Sequence, residues 1–324
     1  MTFKARGLYA SSSKEPGRFR LGPWLLLGVL LVLILVVTTV VSVLSNVTVH
    51  SSQRSDTFSG METLELDNRT SGEIRLSGGD GDEMVVDRTV RGGPLREPDD
   101  TIDERGDTLR VDAHCGGFSP FGVCNIDYDV TVPEGTSLDL NTISGQVTVS
   151  NVHGDLGVDT TSGSVEVSDH VGDVTVQTVS GSTDLEGVEG TVQADSTSGD
   201  ITASGQGEQL NASSTSGTLD LSGFDAEAVE ADTTSGEISV GGAFDTAEIE
   251  TVSGSVEVRT EEYFTLLSVE STSGSVTAQV PPQAYDLIWQ TSSGSDDIGV
   301  DTASEADGRI DVSTVSGSLT VTAH

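Results

Sequence analysis

The sequence predicts an all-β fold, a parallel β-solenoid of about ten coils of 18–20 residues, preceded by one transmembrane helix. Three observations predict it. A Ser-Gly dipeptide recurs ten times at nearly constant spacing, apolar residues alternate with polar ones on both sides of each Ser-Gly, and one long uncharged run lies near the N-terminus.

Taken in order, the first element is a basic segment, residues 1–23, with Lys4, Arg6, Lys14, Arg18 and Arg20 against Glu15. Residues 24–44 follow, WLLLGVLLVLILVVTTVVSVL, with no charge. As a helix this run spans roughly 30 Å, enough to cross a bilayer once. The excess of positive charge before it places the N-terminus inside and everything after Leu44 outside. A cleaved signal peptide is the competing reading, but the run exceeds the usual apolar core of such peptides and no A-x-A-like site follows. Residues 45–60 read as a polar stalk, and residues 61–137 as a β-rich cap in which RTSGEIRL (Arg69 to Leu76) already carries the repeat motif.

The solenoid proper occupies residues 138–324. Its dipeptides are Ser144-Gly145, Ser162-Gly163, Ser180-Gly181, Ser198-Gly199, Ser216-Gly217, Ser235-Gly236, Ser253-Gly254, Ser273-Gly274, Ser293-Gly294 and Ser316-Gly317, spaced 18 to 23 residues apart. Apolar residues fall three and five positions after the Ser, as at Val165 and Val167. They also fall six and four before it, as at Leu156 and Val158. A period of two means strand, so each coil has two strands joined at the T-x-S-G unit. Continued alternation turns the Thr two before the Ser, and the Ser itself, inward. This predicts a corner of small hydroxyls that bond up the column, with Gly supplying backbone freedom. These serines are structural, not nucleophiles. A repeat this short buries its apolar face only by stacking on neighbours.

The same alternation turns outward the residue three before each Ser: Asn141, Asp159, Gln177, Asp195, Ser213, Asp232, Glu250, Glu270, Gln290 and Ser313. The column is wholly polar and half acidic. Across the chain 52 acidic residues face 15 basic ones, for a formal charge of −37. Such a surface repels itself unless salt screens it, so the source reads as salt-loving and salt cations as partners. It also repels phosphate backbones, which excludes nucleic acid as a partner. With only 4% aromatic residues, a large aromatic core is not expected.

The stretch YDVTVPEGTSLDLNTISGQVTV, Tyr128 to Val149, followed by the run of S-G-x-V-x-V repeats, resembles the putative-adhesin family of β-strand-repeat domains of unknown function. The resemblance covers about residues 61–324. It implies a β-repeat fold and an adhesive role, and it carries no catalytic or ligand motif.

Candidate chemistry is sparse. Cys115 and Cys124 enclose eight residues, and outside a membrane such a pair is expected to form a disulfide; with His114, metal binding is the minor reading, one ligand short of a structural zinc site. Asp80, Asp82 and Glu83, among glycines, are weak calcium candidates set against a plain acidic hairpin turn. Asn46, Asn68 and Asn211 begin N-x-[ST] sequons and are glycosylation candidates. The five histidines (His50, His114, His153, His170 and His324) fall in no metal spacing, and no G-x-S-x-G elbow is present. A carbohydrate-active β-helix would need clustered aromatics, and Trp289, Tyr263 and Tyr285 are scattered. No enzyme activity and no cofactor are expected. The sequence therefore reads as a single-pass, membrane-anchored surface protein with an acidic, adhesin-like ectodomain that contacts envelope proteins or glycans. The alternative is an envelope sensor, which would need a membrane partner because the inner segment is too short for a signalling domain.

Overall fold

The computed structural model describes residues 21–47, 50–93, 96–117 and 123–324; within its one helix, side chains are described for residues 26–40. The basic residues Lys4, Arg6, Lys14, Arg18 and Arg20, on which the inside-out topology rests, lie outside the described residues. The helix α1 spans Leu21–Val47. Among the described residues, no helix is long and apolar enough to cross a membrane.

The rest is a parallel β-solenoid. Leu156–Thr160 lies between Ser137–Thr142 and Val174–Thr178, so that Val158 stands opposite Leu140 on one side and Val176 on the other. Beyond the Ser-Gly corner, Val165 lies between Val147 and Thr183 in a second column of strands. Like stacks on like because a parallel register advances by one coil. The apolar positions predicted by alternation are the core: Leu140, Val149, Val176, Leu185, Ile238, Val258, Val312 and Val321 are all at most 2% exposed.

The coils do not stack in chain order at either end. The strands Thr63–Asn68 and Ile74–Gly78 form a complete coil, but it is sandwiched. Thr108–Gly117 and Cys124–Val132 lie on its outer side, and Ser137–Thr142 and Val147–Ser150 on its inner side. The C-terminal end repeats this. Arg309–Ser316 inserts between Leu266–Ser273 and Ala284–Ser293, which leaves the sequence-earlier strand outermost. The outward column therefore runs Glu270, Ser313, Gln290, and the order read from sequence is corrected at its end.

The N-terminal cap also begins earlier than expected. Residues 50–59, read as stalk, form a strand (His50–Ser59) paired antiparallel with Glu83–Gly92, which in turn pairs antiparallel with Cys124–Val132. An alternating polar sequence can be a strand when a neighbour satisfies its backbone, and here Arg88 binds Asp56 and Asp100 across the strands. The segment Ser77 to Glu83 is not a hairpin: the strands on either side of it both pair with Cys124–Val132 rather than with each other.

Candidate functional site

The T-x-S-G corner differs from the expected hydroxyl stack. In the N-terminal coils the hydroxyl of the buried Thr or Ser accepts a hydrogen bond from the corner glycine N–H of its own coil: Thr142 from Gly145 (3.2 Å), Thr160 from Gly163 (2.9 Å), Thr178 from Gly181 (3.1 Å) and Ser196 from Gly199 (2.7 Å). The corner Ser side chains point out, not in, and the glycines take the inner position. Close approach, rather than unusual backbone angles, requires them to be glycine. A Cβ at Gly163, Gly181 or Gly199 would lie 1.9–2.0 Å from the carbonyl oxygen of the corner glycine one coil below. In the C-terminal coils the corner N–H bonds instead to the next coil's Ser carbonyl, as Gly236 to Ser253 and Gly254 to Ser273 do. The hydroxyls of Thr233, Thr251, Ser271, Thr291 and Thr314 have no hydrogen-bond partner among the described residues.

Beside this corner runs the acidic column. Its N-terminal end is neutralised: Arg69 pairs with Asp67, and Arg110 pairs with Asp112 and Glu65. Hydrogen bonding to Asp67 and to Asp112 raises the pKa of Arg69 and Arg110 respectively. Further along, Asp232 faces Glu250 and Glu250 faces Glu270, with Glu230 opposite Glu248 two residues away. None of these five carboxylates has an ion-pair partner among the described residues. Burial, then the charges of Glu250, Glu230 and Glu248, raise the Asp232 pKa, and burial together with Asp139 raises that of Asp159. Two shallow cavities of about 580 and 500 Å³ follow one another along this corner and share Ser196. A further concavity of about 1350 Å³ lies elsewhere and is also acidic, lined by Glu189, Glu208, Glu227 and Glu261 with Arg259 and the exposed Tyr263. Several of its aspartates are already used: Asp173 accepts the Thr191 N–H (3.0 Å) and Asp225 the Ala243 N–H (2.7 Å).

Cys115 and Cys124 are joined by a disulfide that ties Thr108–Gly117 to Cys124–Val132, the layer that the antiparallel strands Arg96–Arg105 and Glu83–Gly92 cover from outside. Asp80, Asp82 and Glu83 are exposed, and no group of three or more potential ligands gathers to hold a metal ion among the described residues. The glycosylation reading of Asn68 is corrected. It is fully buried in the corner slot opposite Thr142, and its amide donates to the carbonyls of Gly72 (3.2 Å) and Ile126 (3.1 Å). Asn211 is half-buried on a strand, accepting from Gln209 (3.2 Å), and the side chain of Asn46 lies outside the described residues. The three aromatics are apart in role. Tyr285 is buried and stacks on Phe264, Tyr263 is exposed, and Trp289 is on the last coil.

Two features escaped sequence reasoning. One is the aromatic stack Phe244–Phe264–Tyr285, with ring centres 5.5 and 5.4 Å apart; the 20-residue spacing of Phe224, Phe244 and Phe264 was its signal. The other is His170, which fills a core slot between Val152 and Val188, fully buried, with neither ring nitrogen in a hydrogen bond of normal geometry. Burial lowers its pKa.

These features define a capped parallel solenoid whose polar chemistry lies along its faces. The chain belongs to the Toastrack DUF4097 family, matched over residues 61–322. It is similar to the crystal structure of a putative adhesin from Parabacteroides distasonis at 12% identity and TM-score 0.44, covering 84% of this chain and 97% of that one. A putative adhesin from Bacteroides fragilis is similar at 17% identity and TM-score 0.34, covering 85% and 97%. A putative lipid-binding protein from P. distasonis is similar at 14% identity and TM-score 0.41, covering 84% and 96%. The comparison with curated proteins yields no match.

Proposed function

We propose that the protein is an adhesin-like interaction module, displayed outside the cell on a single membrane span, that acts by contact and not by catalysis. The observation that carries this reading is the acidic face: five carboxylates on three adjacent coils, held in register, with no ion-pair partner among the described residues. A solenoid presents such a face along its length and gives it little freedom to rearrange, so a partner meets it preorganised. The membrane span rests on the sequence alone, on the uncharged run Trp24 to Leu44. Molar salt, with cations around the face, relieves its self-repulsion.

The reading is tested on cells that make the full chain and on cells that lack it. Protease added outside intact cells should remove the solenoid, and attachment to envelope fragments should fall when it is removed. A solenoid protected in intact cells, or attachment indifferent to its removal, would refute the reading.

A further inference from the structure

The two ends of the solenoid are finished differently. At the N-terminal end, antiparallel strands and a disulfide close the stack. At the C-terminal end the return coil Arg309–Ala323 tucks inside, so that Ala284–Ser293 and Asp296–Gly299 are outermost. Among the described residues, 286–293 have a ladder partner on one side only, and Asp301–Thr302 covers only Ala284 and Tyr285. This leaves an open strand edge of eight residues, about 26 Å long. A long open edge is a template for pairing with another chain.

The side chains at this edge are those of a contact surface. Trp289 stands in the slot that Val312, Val269 and Ile249 occupy in inner coils, where each is at most 1% exposed, yet Trp289 is 44% exposed and its neighbour Ile288 46%. Leu287 is half-buried where Ile310 opposite it is fully buried. Asp296 occupies the slot of Leu319 one coil in, is exposed, and has Asp297 beside it and Asp286 on the companion strand. None of the three aspartates has an ion-pair partner among the described residues. A second copy of this tip would bring the same carboxylates face to face, which disfavours self-pairing.

We propose that the open edge of Asp286–Ser293 is a docking strand for an extended segment of a partner protein that alternates apolar and basic side chains. Main-chain pairing extends the sheet, Trp289 and Leu287 receive the apolar side chains, and Asp286, Asp296 and Asp297 meet the basic ones. The proposal deepens the contact reading above by naming where contact is made and with what chemistry.

The probe is a synthetic octapeptide of alternating Val and Lys, titrated calorimetrically into the full chain in a mild detergent, with a Val-Glu octapeptide as its counterpart. The Val-Lys peptide should bind at least about tenfold more tightly than the Val-Glu peptide, and Trp289→Ala should weaken it by about tenfold or more. The double variant Asp296→Asn/Asp297→Asn leaves the apolar contact intact and should weaken it severalfold. Binding of the Val-Lys peptide unchanged by both variants would overturn the proposal. So would concentration-dependent dimerisation, seen by sedimentation and abolished by Trp289→Asp, which would assign the edge to a second copy. Failure of peptide binding leaves the cell-attachment result standing, so the two readings fail separately.

Discussion

Replacing Gly199 by Ala adds one methyl group at the tightest point of the stack. Its Cβ would lie 1.9 Å from the Gly181 carbonyl oxygen and 2.8 Å from the carbonyl carbon. Relief to an ordinary contact needs the two corners to part by roughly 1.5 Å, and the carbonyl of Gly199 is itself 2.1 Å from where a Cβ on Gly217 would sit, so the coil is held on both sides. Parting by that amount takes two bonds between the coils out of range, Thr197 N–H to Thr178 O (3.1 Å) and Ser198 N–H to Val179 O (3.0 Å), while the bond from Gly199 N–H to Ser196 Oγ lies within one coil and is kept. At about 1 kcal/mol each, with the strain of an overpacked corner added, the loss is roughly 2–4 kcal/mol. Gly157→Ala is the control, because its Cβ would meet Leu138 O at an ordinary 3.7 Å. Replacing a strand glycine in open space changes stability by at most about 1 kcal/mol, in the favourable direction. Urea unfolding at fixed high salt compares the two. Equal midpoints for Gly199→Ala and Gly157→Ala would refute the close-approach account of the corner.

Three further outcomes follow from the same geometry. His170→Val should raise the melting temperature by removing two buried ring nitrogens that make no hydrogen bond of normal geometry, a gain of about 1–3 kcal/mol. Because its folded pKa is lowered, the wild type loses stability as pH falls below the usual imidazole value near 6.5, and the variant should lose this component in a thermal scan from pH 8 to 5. Opening the Cys115–Cys124 bridge by the double Ser variant should destabilise the cap by roughly 2–3 kcal/mol, and the unreduced, denatured wild type should label with no maleimide. Glu250→Gln, which removes the charge facing both Asp232 and Glu270, should raise the melting temperature at about 0.1 M salt and change it little at 3 M. Equal melting temperatures in low salt would remove like-charge repulsion from the account.

The coil length, the two strands and the buried positions were legible because a parallel stack repeats one register, so every coil reports the same alternation. The direction of the corner Ser was not legible: alternation holds along a strand and fails where the chain turns, and Gly145 rather than Ser144 takes the inner place. The swapped ends were hidden because Arg309–Ser316 and Ala284–Ser293 fit the same slot equally well by pattern. The clues were Pro281 and Pro282, which take the chain out of the stack, and Asp296 where a core aliphatic belongs. Asn68 read as a sequon because its context is local, whereas its burial depends on Ile126 from the cap. The acidic face was legible in composition, but the loss of its basic partners after Arg69 depends on which coils lie side by side.

The central claim, that this face works by contact, is tested most directly by cell attachment. Cells displaying the full chain would be compared with cells displaying a variant in which Glu230, Asp232, Glu248, Glu250 and Glu270 are all changed to their amides. Display would be matched by antibody and attachment to envelope fragments counted under flow at a fixed salt concentration. The account predicts that the neutralised variant is displayed normally, is at least as stable, and loses most of its attachment. Attachment equal to that of the wild type at equal display would contradict it.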